Sequence, residues 1–242
     1  MDRETIQEEE YDFPYHHLVN IPPPAFSETR HLFWGYKYAA YLEKILDTLE
    51  QYKFDSLIDI GCGDGKVLKE INRRFPNKKL VGTDYSEKSL QFARAFSPEI
   101  TFVTKSADKF DGFVLVEVLE HINPEQMNSF LESIRANLND GGFGIITTPC
   151  DNVPVNPKHY QHFNKDSIER ILEKHFEIII FEYTSAETLG VAVLRRLFAN
   201  RIFILNDRVF SRLFYTWYKK RYFSASASNA TQVFVVVKKK YL

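Results

Sequence analysis

A glycine-rich stretch, LIDIGCGDG at residues 57–65, constrains the fold of this chain more than any other segment. Apolar residues lead into Asp59, glycines then recur at every second position, and helix-forming residues resume at Lys66. This order predicts a strand, a tight turn and a helix. Because glycine accepts positive φ and has no Cβ, a ligand can approach the main chain of such a turn closely. We therefore predict a ligand site at the end of the first strand.

A second carboxylate follows the next predicted strand. Residues 79–83 read as a short apolar strand that ends at Asp84. Asp84 lies close to the separation of about 20 residues past the glycines that ribose recognition requires. It is therefore predicted to accept hydrogen bonds from a ribose diol. The alternative role is an N-cap for the helix that starts near Glu87, although Ser86 fills that position at least as well.

The glycine turn differs from the turn of dinucleotide-binding enzymes. Those enzymes use G-x-G-x-x-G with a helix N-terminus that faces a pyrophosphate, whereas Asp59 and Asp64 accompany the glycines here. Two carboxylates are a poor cradle for phosphates and suit a cationic ligand that carries an ammonium and a sulfonium. At this point the chain resembles the class I S-adenosylmethionine-dependent methyltransferases, whose loop reads D/E-x-G-x-G-x-G and is matched by residues 59–65. The resemblance extends over roughly residues 54–184.

The resemblance implies that S-adenosylmethionine is the cofactor. It also implies an acidic residue near the adenine, for which Asp108 is the convenient candidate. Glu117 is expected either to meet the methionine ammonium or to join a metal site. The cofactor-binding residues that the resemblance implies are Asp59, Gly61, Cys62, Gly63, Asp84, Tyr85 and Glu117.

The fold that the resemblance implies is an α/β, Rossmann-like class I methyltransferase fold. Its seven-stranded sheet is mostly parallel with an antiparallel last strand, and residues 231–238 have the β-branched composition for that strand. Residues 185–230 would form a helical cap inserted between the last two strands. We expect residues 1–30 to form an N-terminal arm and residues 31–242 to form the methyltransferase domain.

Composition sets broad limits on the class of protein. The length of 242 residues suits one domain with an elaboration, and the formal net charge of −1 gives no overall attraction to nucleic acid. Cys62 and Cys150 lie far apart in sequence, which favours reduced thiols over a disulfide scaffold. We see no signal peptide, transit peptide or apolar run long enough to span a membrane. These features predict a cytoplasmic protein.

A charged cluster follows the fourth predicted strand, residues 112–116. Because the carboxyl ends of parallel strands line the ligand crevice, Glu117, Glu120 and His121 are expected beside the sulfonium. Their spacing of i, i+3 and i+4 predicts one face of a helical turn. There they could bind a divalent metal or supply a general base. Alternatively, Glu120 braces a loop and His121 hydrogen-bonds a backbone carbonyl.

A histidine pair, His159 and His162, follows the fifth strand on a loop that is expected to cover the same crevice. The cluster is similar to two branches of the family. Small-RNA 3′-terminal 2′-O-methyltransferases hold a metal with two glutamates and two histidines. Ubiquinone-type and natural-product O-methyltransferases share E-V-L-E-H and the histidine loop without acting on RNA. The metal ligands implied by the RNA branch are Glu117, Glu120, His121 and His159.

The acceptor is predicted from the way the chain departs from the RNA branch. Residues 163–165 read FNK in place of its tryptophan motif. We therefore expect methyl transfer to an oxygen of a small-molecule, sugar or lipid-like acceptor, with His121 or His159 as the catalytic base. Two rivals from other classes stay open, a nucleotide-sugar or dinucleotide enzyme and a non-catalytic cofactor-binding protein.

The insertion mixes basic and aromatic residues, most densely between residues 195 and 222. Such a helical segment can lie on an anionic membrane surface, bind nucleic acid or cover an acidic or lipid-like substrate. It can also pack as an ordinary cap whose cations are solvated. Of the functional roles, we expect substrate covering or peripheral membrane contact rather than nucleic-acid binding.

Overall fold

The computed structural model describes Arg3, residues 32–198 and residues 208–240. The predicted N-terminal arm, apart from Arg3, lies outside the described residues, and so do residues 199–207 of the insertion. None of the described helices combines the length and the apolar character needed to cross a bilayer.

A seven-stranded sheet forms the centre of the described structure. Its strands are Ser56–Ile60 (β1), Lys79–Thr83 (β2), Thr101–Val103 (β3), Phe110–Val116 (β4), Leu138–Pro149 (β5), Phe176–Ala186 (β6) and Ala230–Lys239 (β7). They are ordered β3-β2-β1-β4-β5-β7-β6. The pairs among β1 to β5 are parallel, and β7 runs antiparallel to both β5 and β6. The prediction of a mostly parallel sheet with an antiparallel last strand is confirmed.

Helices flank the sheet, and two of them begin at side-chain N-caps. They are Leu32–Leu49 (α1), Lys66–Arg74 (α2), Glu87–Phe96 (α3), Met127–Ala136 (α4), Lys165–Leu172 (α5), Leu189–Phe198 (α6) and Arg208–Tyr222 (α7). The Ser86 side chain accepts a hydrogen bond from the Ser89 amide at 3.2 Å, so Ser86 is the N-cap of α3. At α5, the Asn164 and Ser167 side chains accept from each other's amides in a capping box. These contacts satisfy first-turn amides that the helices cannot bond internally.

Alternation along each strand divides the core into two layers, because successive side chains point to opposite faces of a sheet. Leu57 and Val114 pack in the layer that contains α1, α2 and α3. Ile58 and Phe113, one residue away in each strand, pack in the layer that contains α4 and α5. The sheet is therefore covered on both faces, as parallel strands require.

Where strands β4 and β5 pair, a glycine of each strand lies opposite a phenylalanine of the other. Gly112 pairs with Phe143, and Phe113 pairs with Gly144. The buried Phe113 ring fills the space beside Gly144, where an added Cβ would lie 2.0 Å from Phe113 Cε1. Alanine at position 144 would therefore displace a core phenylalanine in a close-packed interior.

The predicted helical insertion is present but has narrower limits. Because β6 continues to Ala186 and β7 begins at Ala230, the connection spans residues 187–229. Its second helix, α7, packs against α1, where the ring centroids of Tyr36 and Tyr215 lie 5.9 Å apart. The cap is thereby fixed to the helix that precedes the sheet. The division of the chain into an arm and a domain stays a prediction.

Candidate active site

The glycine turn between β1 and α2 adopts the conformation that its sequence predicts. Gly61, Gly63 and Gly65 have φ angles of 73°, 52° and 78°. The Gly61 amide donates to the Thr83 carbonyl at 2.7 Å, which ties the turn to the end of β2. A Cβ on Gly61 would lie 2.5 Å from Val118 Cγ2, so this position needs glycine for both its conformation and its space.

Two adjoining cavities of about 450 Å³ and 340 Å³ open beside this turn. Gly61, Glu117, His121 and Lys158 line both, and the sizes suit a small-molecule cofactor and its acceptor. Apart from Asp108, every predicted cofactor-binding, catalytic and metal-binding residue lines one cavity or the other. The first cavity has Asp59, Gly61, Cys62, Gly63, Glu117, Glu120, His121 and His159, and the second adds Asp84 and Tyr85.

Asp59 is a buried carboxylate at the wall of the first cavity. The residue is 1% exposed, and among the described residues neither of its oxygens has a hydrogen-bond partner. Burial, and then the charge of Asp84, hold the pKa of Asp59 well above its usual range. A buried polar group without a partner costs about 1–3 kcal/mol, and more when charged. Asp59 therefore fits a cationic ligand group that would offset this cost.

Asp84 lines the second cavity but also braces the glycine turn. Its Oδ2 accepts from the Gly63 amide and its Oδ1 accepts from the Ser86 amide, each at 2.9 Å. The cap of α3 is provided by Ser86, so the alternative N-cap role of Asp84 is not needed. Because it joins the turn to the end of β2, Asp84 can hold the turn in shape while it faces a ligand.

The prediction that Glu117, Glu120 and His121 share one face of a helical turn is wrong. Glu117 has a left-handed φ of 56°, and only Leu119–His121 form a short 3₁₀ turn. The Glu117 amide still donates to the Thr147 carbonyl at 3.0 Å, so the pairing with β5 holds the chain until it leaves the sheet. The turn of the backbone at Glu117 brings the side chains of Glu117, Glu120 and His121 into one cavity, although they do not lie on one face of a helix. Non-glycine residues at positive φ cost about 1–3 kcal/mol and cluster at functional sites.

Glu120 is the most buried acid of this cluster, at 1% exposed. Its Oε2 accepts a hydrogen bond from Thr148 Oγ1 at 3.2 Å. Burial, and then the charge of Glu117, raise the pKa of Glu120 well above its usual range. Glu117 itself accepts from Thr147 Oγ1 at 3.0 Å, so consecutive threonines at the end of β5 orient the two glutamates.

A chain of hydrogen bonds fixes the tautomer of His159. His162 Nδ1 lies 2.8 Å from the Val153 carbonyl oxygen, which can only accept, so this nitrogen carries a proton. In the neutral ring, His162 Nε2 then accepts from His159 Nδ1 at 2.7 Å. His159 Nε2 is consequently left as a lone pair. Burial is the main cause that lowers the pKa of His159 to about 3, and nearby His121, His162 and Lys158 further disfavour its protonation. The ring is therefore neutral at physiological pH and is a weaker base than a free imidazole.

His121 is oriented in a similar way. Its Nδ1 lies 3.3 Å from the Lys158 carbonyl oxygen and so carries the proton, which leaves Nε2 3.9 Å from Glu120 Oε1. The ligand atoms of Glu120, His121 and His159 all lie within 4.8 Å of one another. Backbone contacts of this kind commonly orient metal-binding histidines. These three residues fit a divalent metal, whereas the fourth predicted ligand, Glu117, lies outside the group.

Sequence reasoning missed several residues at the site. Lys37 lines the first cavity from α1, and burial lowers its pKa against the opposing charges of Glu117, Glu187 and Glu120. A lysine within an amphipathic helix normally indicates a solvent-facing position. The tyrosines next to Lys37 in α1 were the sequence feature that could have indicated a position beside the cavity instead. Arg3, from the predicted arm, stacks over Tyr160 at 4.4 Å from the ring centroid and lines the second cavity.

Asp108, the candidate for the adenine contact, does not line either cavity. Its Oδ2 forms an ion pair with Lys79 Nζ at 2.6 Å on the surface. The short β3 ends at Val103, and the following loop carries Asp108 towards β2 rather than towards the turn. That interpretation is therefore wrong.

Comparisons with known proteins agree with the fold. A family model described as a methyltransferase domain matches residues 29–179. The carboxy-S-adenosyl-L-methionine synthase of Campylobacter lari is 25% identical over 154 residues, which cover 56% of this chain and 66% of that protein. The chain thus spans just under two thirds of that curated relative.

Solved structures support the same assignment at the level of the fold. A SAM-dependent methyltransferase from Archaeoglobus fulgidus aligns with a TM-score of 0.55 and 17% identity over 82% of this chain and 94% of that chain. The 1,6-didemethyltoxoflavin-N1-methyltransferase of Burkholderia thailandensis, solved with S-adenosylhomocysteine, aligns with a TM-score of 0.55 and 15% identity over 84% of this chain and 79% of that chain. With a family match over most of its length and this sheet order, the chain belongs to the methyltransferase-domain family and has the class I S-adenosylmethionine-dependent methyltransferase fold.

Proposed function

We propose that this protein transfers the methyl group of S-adenosylmethionine to a hydroxyl oxygen of a small-molecule, sugar or lipid-like acceptor. The amino-acid end of the cofactor is a zwitterion and needs partners of both signs. Asp59 receives its ammonium, and Lys37, which lines the same cavity, receives its carboxylate. Asp84 receives the ribose hydroxyls, while Cys62 and Tyr85 pack against the cofactor.

The observation that carries the oxygen acceptor is the lone pair on His159 Nε2. A hydroxyl must lose a proton as its oxygen is methylated, so the site needs a group that accepts one. The hydrogen bonds from Val153 through His162 keep this nitrogen unprotonated. His159 lines the same cavity as Asp59, where the cofactor would bind.

The transfer itself needs few protein groups. The acceptor oxygen forms a bond to the methyl carbon along the line of the breaking carbon–sulfur bond, at about 3 Å. The sulfonium becomes a neutral thioether, and the hydroxyl proton moves to His159 Nε2. His162 holds the ring in position through its hydrogen bond with His159 Nδ1.

A second candidate is metal-assisted transfer to a hydroxyl, and the mutual approach of three ligand atoms favours it. Two imidazole nitrogens and one carboxylate oxygen suit Zn²⁺, Mn²⁺ or Fe²⁺. A divalent metal held by Glu120, His121 and His159 would supply Lewis-acid activation of the acceptor hydroxyl. The same nitrogens cannot hold a metal and act as the base, so the two candidates are distinguishable.

The proposal is tested by following the methyl group. The protein is incubated with methyl-labelled S-adenosylmethionine and separate fractions of hydroxylated small molecules, lipid extract, sugar nucleotides, small RNA and protein. Mass spectrometry then identifies the labelled product and the labelled atom. We expect label on an oxygen of a small or lipid-like product; label on nitrogen, on protein or only on RNA would contradict the proposal.

Chelation separates the two candidates. If His159 is the base, turnover survives exhaustive treatment with EDTA. If turnover is lost and returns with added Mn²⁺ or Zn²⁺, the metal-assisted route replaces it. His159→Gln should lower turnover whether His159 acts as the base or as a metal ligand, because it removes the imidazole lone pair. It should leave cofactor binding unchanged, because His159 is not assigned to the cofactor.

A further inference from the structure

The helical insertion has an inner face that is fixed to the domain. Tyr215 and Tyr218 are 4% and 5% exposed and contact Tyr36 of α1, with ring centroids 5.9 Å and 6.2 Å apart. Lys219 Nζ lies 2.5 Å from Glu43 Oε2 of the same helix. α7 is therefore anchored, and its opposite side points away from the domain.

The opposite side of α7 is apolar and exposed. Leu213 and Trp217 are 61% and 42% exposed, and their spacing of four residues puts them on one stripe. Val209, one turn earlier, is 67% exposed. On α6, Leu189 and Val193 repeat the same spacing at 83% and 47% exposed.

The start of α6 lies beside the end of α7, so the two exposed stripes approach each other there. A Cβ on Gly190, at the start of α6, would lie 2.8 Å from the Tyr222 hydroxyl at the end of α7. The Trp217 ring packs edge-on against the Tyr222 ring, with centroids 4.9 Å apart. A group of exposed apolar residues on neighbouring helices marks an interaction site, whereas single exposed residues do not. We name this surface the outer face; it comprises Leu189, Val193, Val209, Leu213 and Trp217.

Positive charge accompanies the outer face. α7 carries Arg208, Arg212, Lys219, Lys220 and Arg221 and has no aspartate or glutamate. Arg212, Lys220 and Arg221 are exposed, and in the part of the chain that the structure describes no acidic side chain forms an ion pair with any of them. Because the whole chain has a net charge of −1, this charge is local.

We propose that the outer face docks onto the surface of an anionic lipid bilayer. An amphipathic helix with aliphatic and tryptophan side chains beside several cations has the composition of an interfacial helix. Nucleic acid is less suited, because base stacking needs accessible aromatic rings. Of the six large apolar residues of α6 and α7 that are exposed in the described structure, four are aliphatic and only Phe210 and Trp217 are aromatic, and the Trp217 ring packs against Tyr222. This proposal does not depend on which acceptor is methylated.

The docking geometry would bring the reaction close to lipid. α1 contacts α7 through Tyr36 and, with Lys37, Tyr38 and Tyr41, also lines the first cavity. Two helices, α7 and α1, each about 10–12 Å across, therefore separate the outer face from the cavity. Membrane docking would hold the cavity within two helix diameters of the bilayer, which suits a lipid-like acceptor.

Vesicle co-sedimentation of the full chain tests the proposal. Phosphatidylcholine vesicles are compared with vesicles containing 30% phosphatidylserine, at about 0.1 M and 0.5 M salt. We expect binding to the anionic vesicles, weakening at high salt, and at least tenfold weaker binding to the neutral ones. Equal binding to both kinds of vesicle, or to neither, would overturn the proposal.

Two variants with a matched control localise the contact. R212Q/K220Q/R221Q should weaken partitioning about a hundredfold, because each cation near the surface contributes about fivefold. Leu213→Glu should abolish the apolar contact. Ile179→Glu, which changes an equally aliphatic residue that is 43% exposed on β6, should bind like the wild type.

Folding and competing partners are checked on the same proteins. Because the substituted side chains are exposed, circular dichroism and Tm should match the wild type. If Leu213→Glu does not fold, the charge variant alone decides. Variants that bind vesicles like the wild type, tighter binding to RNA than to anionic vesicles, or a dimer dissolved by Leu213→Glu would each overturn the proposal.

Discussion

Asp59→Asn should stabilise the protein without cofactor and weaken its binding of cofactor. Asp59 is buried with no hydrogen-bond partner in the described structure, and its pKa is raised mainly by burial. At neutral pH the folded state therefore bears the cost of an unmatched buried carboxylate. Asparagine has nearly the same shape and removes the charge. The cationic group of a bound cofactor, in contrast, would lose its partner.

The size of both effects follows from the burial of this carboxylate. Asparagine keeps buried polar atoms without partners and removes only the charge, whose additional cost is on the order of 2 kcal/mol. For a domain of this size each kcal/mol shifts Tm by about 2–4 °C, so the expected rise is on the order of 5 °C. A hydrogen bond to a charged group contributes about 1.5–3 kcal/mol, so affinity for S-adenosylhomocysteine should fall about 10- to 150-fold.

The pH dependence of Tm is a separate test of whether the charge of Asp59 destabilises the protein without cofactor. A pKa raised in the folded state means that folding is favoured when Asp59 is protonated, so wild-type stability falls as pH rises above the unfolded pKa of about 4. Asp59→Asn lacks this titration. The difference in Tm without cofactor should be largest at neutral pH and disappear below about pH 4.

Asp111→Asn is the matched control and should act in the opposite direction. Asp111 Oδ2 accepts from the Asp55 and Ser56 amides at 2.9 Å, and its Oδ1 accepts from Asn139 Nδ2 at 2.7 Å. Burial raises its pKa, but these hydrogen bonds outweigh burial and lower it. Its stabilisation is present above the unfolded pKa and lost as pH falls. Asp111→Asn should therefore lower Tm at neutral pH.

Differential scanning fluorimetry with and without S-adenosylhomocysteine, from pH 4 to 8, measures both variants. The account of Asp59 fails if Asp59→Asn lowers the Tm of the cofactor-free protein, or if it binds S-adenosylhomocysteine as tightly as the wild type. A rise in Tm that is the same at pH 4 and pH 8 would contradict the role of the carboxylate charge.

Three further perturbations separate binding, chemistry and packing. His159→Gln should lower kcat about 10²- to 10⁴-fold with little change in the Kd for S-adenosylhomocysteine, and His162→Phe should lower kcat less. Turnover assays measure kcat and calorimetry measures Kd. A kcat equal to that of the wild type in both variants would show that the hydrogen-bonded pair of histidines has no role in the reaction. Lys37→Gln should raise the KM for S-adenosylmethionine more than it lowers kcat, which steady-state kinetics measures, and an unchanged KM would remove Lys37 from the cofactor site. Gly144→Ala should destabilise the fold by about 1–3 kcal/mol because its Cβ would meet Phe113 at 2.0 Å; chemical denaturation checks this, and wild-type stability would refute it.

The parts of the site that sequence predicts best are local. The positive φ angles of the glycine turn favour glycine over other residue types, so the glycines within residues 57–65 predict the conformation of the turn. The position of Asp84 beside the turn could be predicted because a βαβ unit fixes the distance between one strand end and the next. The Ser86 cap depends on contacts within one turn, and the structure contains it.

The parts that sequence predicts poorly depend on contacts between distant segments. The helical face assigned to Glu117, Glu120 and His121 failed because the end of β4 is pulled towards β5, an effect that spacing does not report. The proton on His121 is set by a carbonyl at Lys158, and that of His162 by a carbonyl at Val153. Backbone carbonyls are present at every position, so only the fold reveals which of them orients a histidine.

Isothermal titration calorimetry of the full wild-type chain with S-adenosylhomocysteine tests the central claim most directly. We predict a single site, competition by S-adenosylmethionine, at least tenfold weaker binding to Asp59→Asn, and no heat with NAD. Saturable binding of NAD with no response to S-adenosylhomocysteine would contradict the claim that this cavity holds a sulfonium cofactor.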